Sequence, residues 1–181
     1  VASKLSTIAN DLRLLSSGPR GGFGEICLPQ RQPGSSLMPG KVNPVIPEAV
    51  NAAAFRVFGL DLTITFAAEA GQLQLNAFEP VILASIHESV DLLSNAIEML
   101  IDKCLVDMTA DPVACLANLE GGTALATYLV PIIGYSRAAK IAKRALQGCT
   151  LREAVIELDP SALPLLDEVL SRSLPASTAP A

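Results

Sequence analysis

The sequence predicts an all-α fold in which a part built from long helices is joined to a small domain of short helices. Apolar residues recur every three or four positions over residues 45–70 and 76–108, which is the spacing of one helix face. Between residues 111 and 171, shorter apolar stretches alternate with glycine and proline, which end helices. The alternation of apolar and polar residues that marks strands is scarce. We therefore expect part of a helical bundle over residues 1–108 and a small helical domain over 109–173.

Composition limits the class of protein. Half of the 181 residues are hydrophobic and only 17% are charged, and the mean hydropathy is +0.43. Disordered chains lack such apolar content, so disorder is expected only for residues 174–181, a tail rich in proline, alanine and serine. No uninterrupted apolar run approaches the ~20 residues of a membrane-spanning helix. We expect a soluble protein with no membrane partner, whose apolar helices pack against other subunits.

Charge and aromatic content argue against nucleic-acid binding. The net charge is −5, aromatic residues make up 4% of the chain, and tryptophan is absent. A nucleic-acid interface usually shows a basic patch or aromatic stacking platforms, and neither is evident here. No nucleic-acid partner is expected.

Cysteine and histidine are too scattered for a structural metal site. Cys27, Cys104, Cys115 and Cys149 lie far apart without a CxxC pair, and His87 is the single histidine. This inventory argues against a zinc site and against a disulfide framework. We expect no cofactor, no metal site and reduced thiols in the cytoplasm. His87 is offset from the apolar stripe of its helix, so a solvated or interface histidine is expected rather than a catalytic one.

The amino-terminal residues 1–16 form a helical pattern at once. Leu5, Ile8, Leu12 and Leu15 recur at helical spacing, and no basic head with an apolar core indicates a signal peptide. Because the chain starts without Met inside a helical pattern, our hypothesis is that it is a fragment of a longer protein.

The two long helices carry recognisable end signals. Asn43 can cap the helix over 45–70, and residues 62–66 (LTITF) are the one place where a strand competes. Asn76 and Glu79 resemble a capping box at the start of the 76–108 helix, which would be ~50 Å long. Its apolar stripe comprises Phe78, Ile82, Ile86, Val90, Leu93, Ile97, Leu100, Cys104 and Met108.

Short helices are expected in the small domain. A second capping box, formed by Thr150 and Glu153, marks one of them. The expected helices lie near residues 111–120, 123–133, 136–147, 150–158 and 161–171.

Residues 34–44 (GSSLMPGKVNP) hold the most informative motif. Gly34 and Gly40 permit close backbone approach or a positive φ, and Ser35 and Ser36 follow the first glycine directly. A lysine and an asparagine then precede a helix N-terminus, where free N–H groups and the helix dipole favour an anion. The loop is suited to a carboxylate or phosphate, although a structural Pro/Gly loop with a capping Asn is equally compatible. The GxxxxGK[ST] spacing that encloses a phosphate chain is absent, so phosphate is the weaker alternative.

The same motif resembles the signature loop of the aspartase/fumarase superfamily, GSSxMPxKxNP, at every fixed position. Further stretches over about residues 4 to 171 are similar as well. Three are closer to the aspartate ammonia-lyases than to the class II fumarases: residues 14–20 (LLSSGPR), 44–48 (PVIPE), and 71–76 (GQLQLN) with Glu79-Pro80. The resemblance implies the helical-bundle fold of these lyases and reversible elimination of ammonia from L-aspartate to give fumarate.

The resemblance also implies roles for individual residues. Ser35 would be the base that removes a proton beside the β-carboxylate, and Ser36 would offer donors to a substrate carboxylate. Lys41 and Asn43 would bind the other carboxylate. Glu48 matches the family glutamate that orients an active-site histidine, although a helix-dipole acid in the first turn explains it equally well.

The family builds each active site from three segments contributed by different subunits of a homotetramer, and this chain carries only the loop segment. We therefore expect the 181-residue chain alone to be inactive. Arg20 is expected to form a structural salt bridge rather than to act at the loop. The resemblance allows activation by a divalent cation, but no ligand cluster for one is visible. A class II fumarase and a non-catalytic helical assembly module remain as alternatives.

Overall fold

The computed structural model describes residues 1–18, 21–38 and 40–173 and confirms the all-α prediction. The chain divides into a first unit, Val1–Asp111, and a second unit that begins at Pro112. In chain order the helices and strands are α1 (Ala2–Leu15), β1 (Ile26–Cys27), α2 (Val45–Glu69), α3 (Glu79–Leu100), a π-helical turn (Ile101–Leu105), β2 (Thr109–Ala110), α4 (Pro112–Gly121), α5 (Ala126–Ile133), α6 (Tyr135–Ala145), α7 (Leu151–Leu158), a 3₁₀ turn (Pro160–Ala162) and α8 (Leu163–Ser173).

The first unit is built on the packing of α1 and α3 against α2. Alanines lie at the closest contacts, since Ala9 and Ala54 are fully buried and Ala96 is nearly so. Small side chains let helix backbones approach closely, and larger apolar residues fill the space beside them. The main cluster comprises Ala9, Leu12, Val50, Ala96, Leu100 and Cys104.

A buried asparagine links α1 to α2. Asn51 is 3% exposed, and its Nδ2 donates to the carbonyl oxygen of Ser6 at 3.1 Å and to Ser6 Oγ at 3.0 Å. Its Oδ1 accepts a bond from Arg13 Nη1 at 3.3 Å. Because the buried amide is satisfied at both ends, it stabilises one register of α1 on α2.

The helix predicted over 45–70 is confirmed as α2, which includes the β-branched stretch 62–66. Thr63 and Thr65 fit the helix by donating their hydroxyls to the carbonyls of Gly59 and Asp61, at 3.0 and 2.9 Å. The predicted cap was wrong, because Pro44 occupies the cap position and no side chain caps the helix. The amide of Asn43 makes a different bond, described below.

The helix predicted over 76–108 is shorter and changes type. The α-helical part spans Glu79–Leu100 and is followed by the π-helical turn, in which Val106 N–H donates to Ile101 O at 3.1 Å. Only part of the predicted stripe is covered, since Ile86 and Val90 remain 45% and 57% exposed.

The capping box predicted for Asn76 and Glu79 was also wrong. The amide of Asn76 instead serves two helices. Nδ2 donates to Ala67 O at 2.9 Å near the end of α2, and Oδ1 accepts from Phe78 N–H at 2.8 Å at the start of α3. One side chain thus satisfies terminal backbone groups of both helices.

Length and composition alone would allow α2 to cross a membrane. Among the described residues, the most apolar 18-residue stretch of α2 has a mean hydropathy of 1.3, and 22% of it is buried. Helices α4 and α5 together are also long and apolar enough to form one span, bent by 51°. Core helices of soluble proteins also meet this criterion. The expectation that the protein has no membrane partner therefore stays a prediction.

The second unit has its own core, in which α5, α6, α7 and α8 contribute fully buried side chains. The largest are Leu129, Ile141, Leu151 and Leu166. Residues 174–181 and Arg20 lie outside the described part of the chain, so the disordered tail and the Arg20 salt bridge stay predictions.

The capping box of Thr150 and Glu153 is confirmed at the start of α7. Thr150 Oγ1 accepts from Glu153 N–H at 3.2 Å, and Glu153 Oε2 accepts from Thr150 N–H at 2.8 Å. The backbone N–H of Thr150, with a smaller contribution from its hydroxyl, lowers the pKa of the Glu153 carboxyl below its ordinary value. The box therefore holds the carboxylate in its charged form.

Candidate active-site loop

The approach segment, residues 25–31, leads into the motif and contacts residues 103–110, which follow α3 in the chain. β1 pairs antiparallel with β2, with Ile26 opposite Ala110 and Cys27 opposite Thr109. At the other end of the segment, Arg31 Nε donates to Lys103 O and Arg31 Nη2 pairs with Asp107 Oδ2, both at 2.7 Å. The segment is therefore held at two places before the motif begins.

The serine loop, residues 34–43, is closed at its base. Asn43 Nδ2 donates to Gly34 O at 2.7 Å. A Cβ atom on Gly34 would lie 1.9 Å from the carbonyl oxygen of Lys41, so no other residue fits there without movement. Gly40 has a φ of +77°, which glycine adopts without strain. Both expectations for these glycines are confirmed: Gly34 is needed for close approach and Gly40 for a positive φ.

Ser35 lies half-buried inside the loop, with its hydroxyl oxygen held by two backbone donors. Ser35 Oγ accepts hydrogen bonds from Leu37 N–H and Met38 N–H, each at 3.1 Å. Hydrogen bonds from amides stabilise negative charge on the acceptor. The two N–H groups therefore stabilise negative charge that develops on Ser35 Oγ.

The other predicted site residues are exposed. The side chains of Ser36, Lys41 and Glu48 make no hydrogen bond or ion pair within residues 1–18, 21–38 and 40–173. Glu48 lies in the first turn of α2, and only backbone bonds connect Lys41 to the loop, such as Lys41 N–H to Met38 O at 3.3 Å. The structure thus brings Gly34, Ser35 and Asn43 together and leaves the other three side chains facing solvent.

A shallow, open hollow lies at the loop base, and Ser35 does not line it. Cys104 is one of its walls and is 1% exposed. Burial raises the pKa of this thiol, and the nearby Arg31 guanidinium offsets part of that effect. The hollow therefore supports the loop rather than presenting a reactive thiolate. It is lined by Leu28, Pro29, Asn43, Pro44, Val45, Ile46, Pro47, Lys103 and Cys104.

Metal ligands are not grouped in the described residues. No set of three or more His, Cys, Asp or Glu side chains in that part of the chain could hold an ion, and none of the four cysteines, which all lie in that part, forms a disulfide. His87 is exposed on α3, as expected for a solvated or interface histidine.

Two residues that connect distant parts of the chain were not identified from the sequence. Arg31 lies in a Gly/Pro-rich stretch that also contains Arg20 and Lys41, and a solvated side chain is the usual outcome there. Asn51 is the one polar residue of the apolar stretch 49–55 (AVNAAAF), and this was the available signal.

Two protein families and several known proteins match this chain. Residues 1–59 match the lyase family and residues 125–171 match the fumarase C C-terminus family. The aspartate ammonia-lyase of Corynebacterium glutamicum is 52% identical over 172 residues, which is 94% of this chain and 33% of that protein. Its counterpart in Pseudomonas fluorescens is 58% identical over 146 residues, 81% of this chain and 30% of that protein.

Solved structures agree with these relatives. The fumarate lyase:delta crystallin of Brucella melitensis bound to cobalt is 56% identical with a TM-score of 0.83, covering 96% of this chain and 38% of that one. The class II fumarase of Schistosoma mansoni is 37% identical with a TM-score of 0.83, covering 93% of this chain and 35% of that one. The fold is that of a helical-bundle lyase.

This chain belongs to the aspartase/fumarase superfamily. It spans about a third of the length of the curated relatives that it matches.

Proposed function

We propose that the protein is a carbon–nitrogen lyase that reversibly eliminates ammonia from L-aspartate to give fumarate, and that this chain supplies the serine loop of its active site. One observation carries the proposal: Ser35 Oγ is held by two backbone N–H groups inside a loop that matches the superfamily motif. Aspartate ammonia-lyases at 48–58% identity favour aspartate as the substrate.

The proposed reaction requires a base for a weakly acidic carbon. The C–H bond beside the β-carboxylate breaks and its proton passes to Ser35 Oγ. The electron pair forms the carbon–carbon double bond, and the Cα–N bond breaks to release ammonia. Removal of the proton adds negative charge to the β-carboxylate, so donors placed in advance around that group lower the barrier. The N–H groups of Leu37 and Met38 would stabilise negative charge on Ser35 Oγ before it accepts the proton.

The remaining loop residues would bind the two carboxylates. Ser36 and Lys41 are exposed and unpaired within the described residues, so a hydroxyl and an ammonium are available to an incoming dianion. Asn43 uses one amide hydrogen for Gly34 and keeps the other for the substrate. Because the chain carries a net charge of −5, attraction of a dicarboxylate must come from a local cation such as Lys41. Glu48 would orient a histidine from outside this chain.

Exposed apolar faces support assembly as a homotetramer with shared active sites. Both long helices present large apolar side chains to solvent, as monomeric proteins rarely do over a wide patch. Covering them with other copies would bury this surface. We propose the cytoplasm as the location, since none of the four cysteines forms a disulfide. The residues in question are Phe55, Phe58, Leu62 and Phe66 on α2, and Val81, Leu83, Ile86 and Val90 on α3.

A pair of chimeras tests the proposal. In the first, the matching residues of this chain replace the aligned 172 residues of the Corynebacterium glutamicum enzyme. In the second, they replace the aligned part of the Schistosoma mansoni fumarase. We expect the first chimera to form tetramers and release ammonia and fumarate from L-aspartate, and the isolated 181-residue chain to show no turnover. A tetrameric first chimera without aspartate turnover contradicts the proposal.

Class II fumarase is the second candidate, because residues 125–171 match the fumarase C C-terminus family. The second chimera decides between the two. Malate dehydration by that chimera, together with an inactive first chimera, would assign the chain to the fumarases.

A further inference from the structure

Arg31 connects the approach segment to the π-helical turn by two different bonds. Its Nε donates to the carbonyl oxygen of Lys103, and its Nη2 pairs with Asp107 Oδ2, both at 2.7 Å. The fixed fork of a guanidinium can satisfy both acceptors at once, which the single ammonium of a lysine cannot do with the same geometry.

The acceptor on Lys103 results from how the helix ends. In the π-helical turn, Val106 N–H donates to Ile101 O at 3.1 Å, and the last carbonyls of a helical segment lack partners further along the helix. The carbonyl of Lys103 is one of these, and Arg31 supplies its donor. Asp107 follows the turn and provides the carboxylate.

The two contacts of Arg31 matter because Arg31 lies close to the serine loop in the chain. Arg31 precedes Gly34 by three residues, and Gly34 is the carbonyl partner of Asn43 at the loop base. The serine loop is thus held to α2 through Asn43, the residue before Pro44, and to the end of the α3 region through Arg31. We propose that Arg31 is a positioning residue that sets the location of Ser35, by fixing the serine loop to the π-helical turn. This inference rests on the proposed function only for its catalytic consequence.

A comparison with another ion pair of the same chain separates this role from an ordinary surface contact. The side chains of Arg31 and Asp107 are 31% and 57% exposed, and those of Arg144 and Glu157 are 34% and 52% exposed with a separation of 2.8 Å. Ion pairs of this exposure contribute little to stability. The two pairs therefore differ mainly in what they hold in place.

The experiment uses the aspartate ammonia-lyase chimera with Arg31→Ala, Arg31→Lys and Asp107→Asn, and with Arg144→Ala as the matched control. Hydrogen exchange of the backbone amides at residues 32 and 34–38 measures how firmly the loop is held, and steady-state kinetics measures how well Ser35 acts as the base. We expect Arg31→Ala to speed loop exchange and to lower kcat about 10-fold, while KM changes less than about twofold, because a displaced base loses alignment without losing substrate contacts. Arg31→Lys should recover part of kcat, and Asp107→Asn should lower it less than Arg31→Ala.

Two outcomes overturn the inference. One is loop exchange in Arg31→Ala that equals exchange in Arg144→Ala. The other is faster exchange with kcat unchanged. If the parent chimera has no aspartate turnover, the proposed function fails, and the exchange of residues 32 and 34–38 alone then decides whether Arg31 holds the loop.

Discussion

The amide of Asn43 donates to the carbonyl of Gly34 at 2.7 Å and closes the ten-residue loop that carries Ser35. Gly34 also packs against the carbonyl of Lys41, where a Cβ atom would lie 1.9 Å from the oxygen. The loop is therefore closed twice at its base, by a hydrogen bond and by a contact that only glycine permits. We expect the orientation of the Leu37 and Met38 amides toward Ser35 Oγ to depend on this closure.

Gly34→Ala in the aspartate ammonia-lyase chimera tests that dependence. The added methyl must push away the Lys41 carbonyl, and we expect kcat to fall about 100-fold while the tetramer is retained, because a displacement of ~1 Å at a catalytic group can have that effect. Gly21→Ala is the control, since a Cβ at Gly21 meets nothing within 4 Å. Equal activity in the two variants would show that loop closure does not position the base.

Ser35→Ala tests whether the loop does chemistry. Loss of the base should lower kcat of the chimera at least about 1,000-fold with an intact tetramer. Ser36→Ala should raise KM more than it lowers kcat, because that hydroxyl is expected only to bind substrate. The two assays are ammonia release and size-exclusion chromatography. Unchanged turnover in Ser35→Ala would favour the non-catalytic assembly module over the lyase.

Some features of the serine loop could be predicted, because they depend on the residue type at one position and not on contacts with distant residues. A close approach at Gly34 and a positive φ at Gly40 follow from the properties of glycine itself, and the structure shows both. Asn43 was harder, because its amide can cap the next helix or cross the loop. Both choices use the same side chain, and only the folded loop places Gly34 O within 2.7 Å.

The rest depended on contacts between distant residues. Arg31 and Lys103 are 72 positions apart, and no local pattern encodes their meeting. The π-helical turn was missed because apolar periodicity continues through residues 101–105 without a proline or glycine to mark it. The stripe of α3 could be recognised, but periodicity does not reveal whether Ile86 and Val90 are covered by the same chain or by another copy.

The buried amide of Asn51 should contribute to the stability of the α1–α2 contact. Replacing it with leucine leaves the carbonyl and hydroxyl of Ser6 without their buried donor, so we expect a loss of about 2 kcal/mol. Hydrogen exchange of the α1 amides in the chimera measures this local opening free energy. Asn10→Ala is the control, because Asn10 is exposed and only accepts a 3.4 Å bond from Arg13. Equal exchange in the two variants would mean that the buried amide does not contribute.

The capping box of α7 should give the second unit a defined acid response. Thr150→Ala should reduce exchange protection of the α7 amides by about 1 kcal/mol, since it removes an N-cap hydroxyl. Glu153→Gln keeps the shape and removes the charge. The folded-state pKa of Glu153 lies below its ordinary value of 4.5, so its contribution is present above that pH and is lost as the pH falls through the folded value. The parent chimera and its Glu153→Gln variant should therefore differ in the exchange protection of the α7 amides at pH 7. This difference should disappear as the pH falls below about 4.5. A difference between them that stays constant from neutral to acid pH would show that the charge of Glu153 does not stabilise the helix.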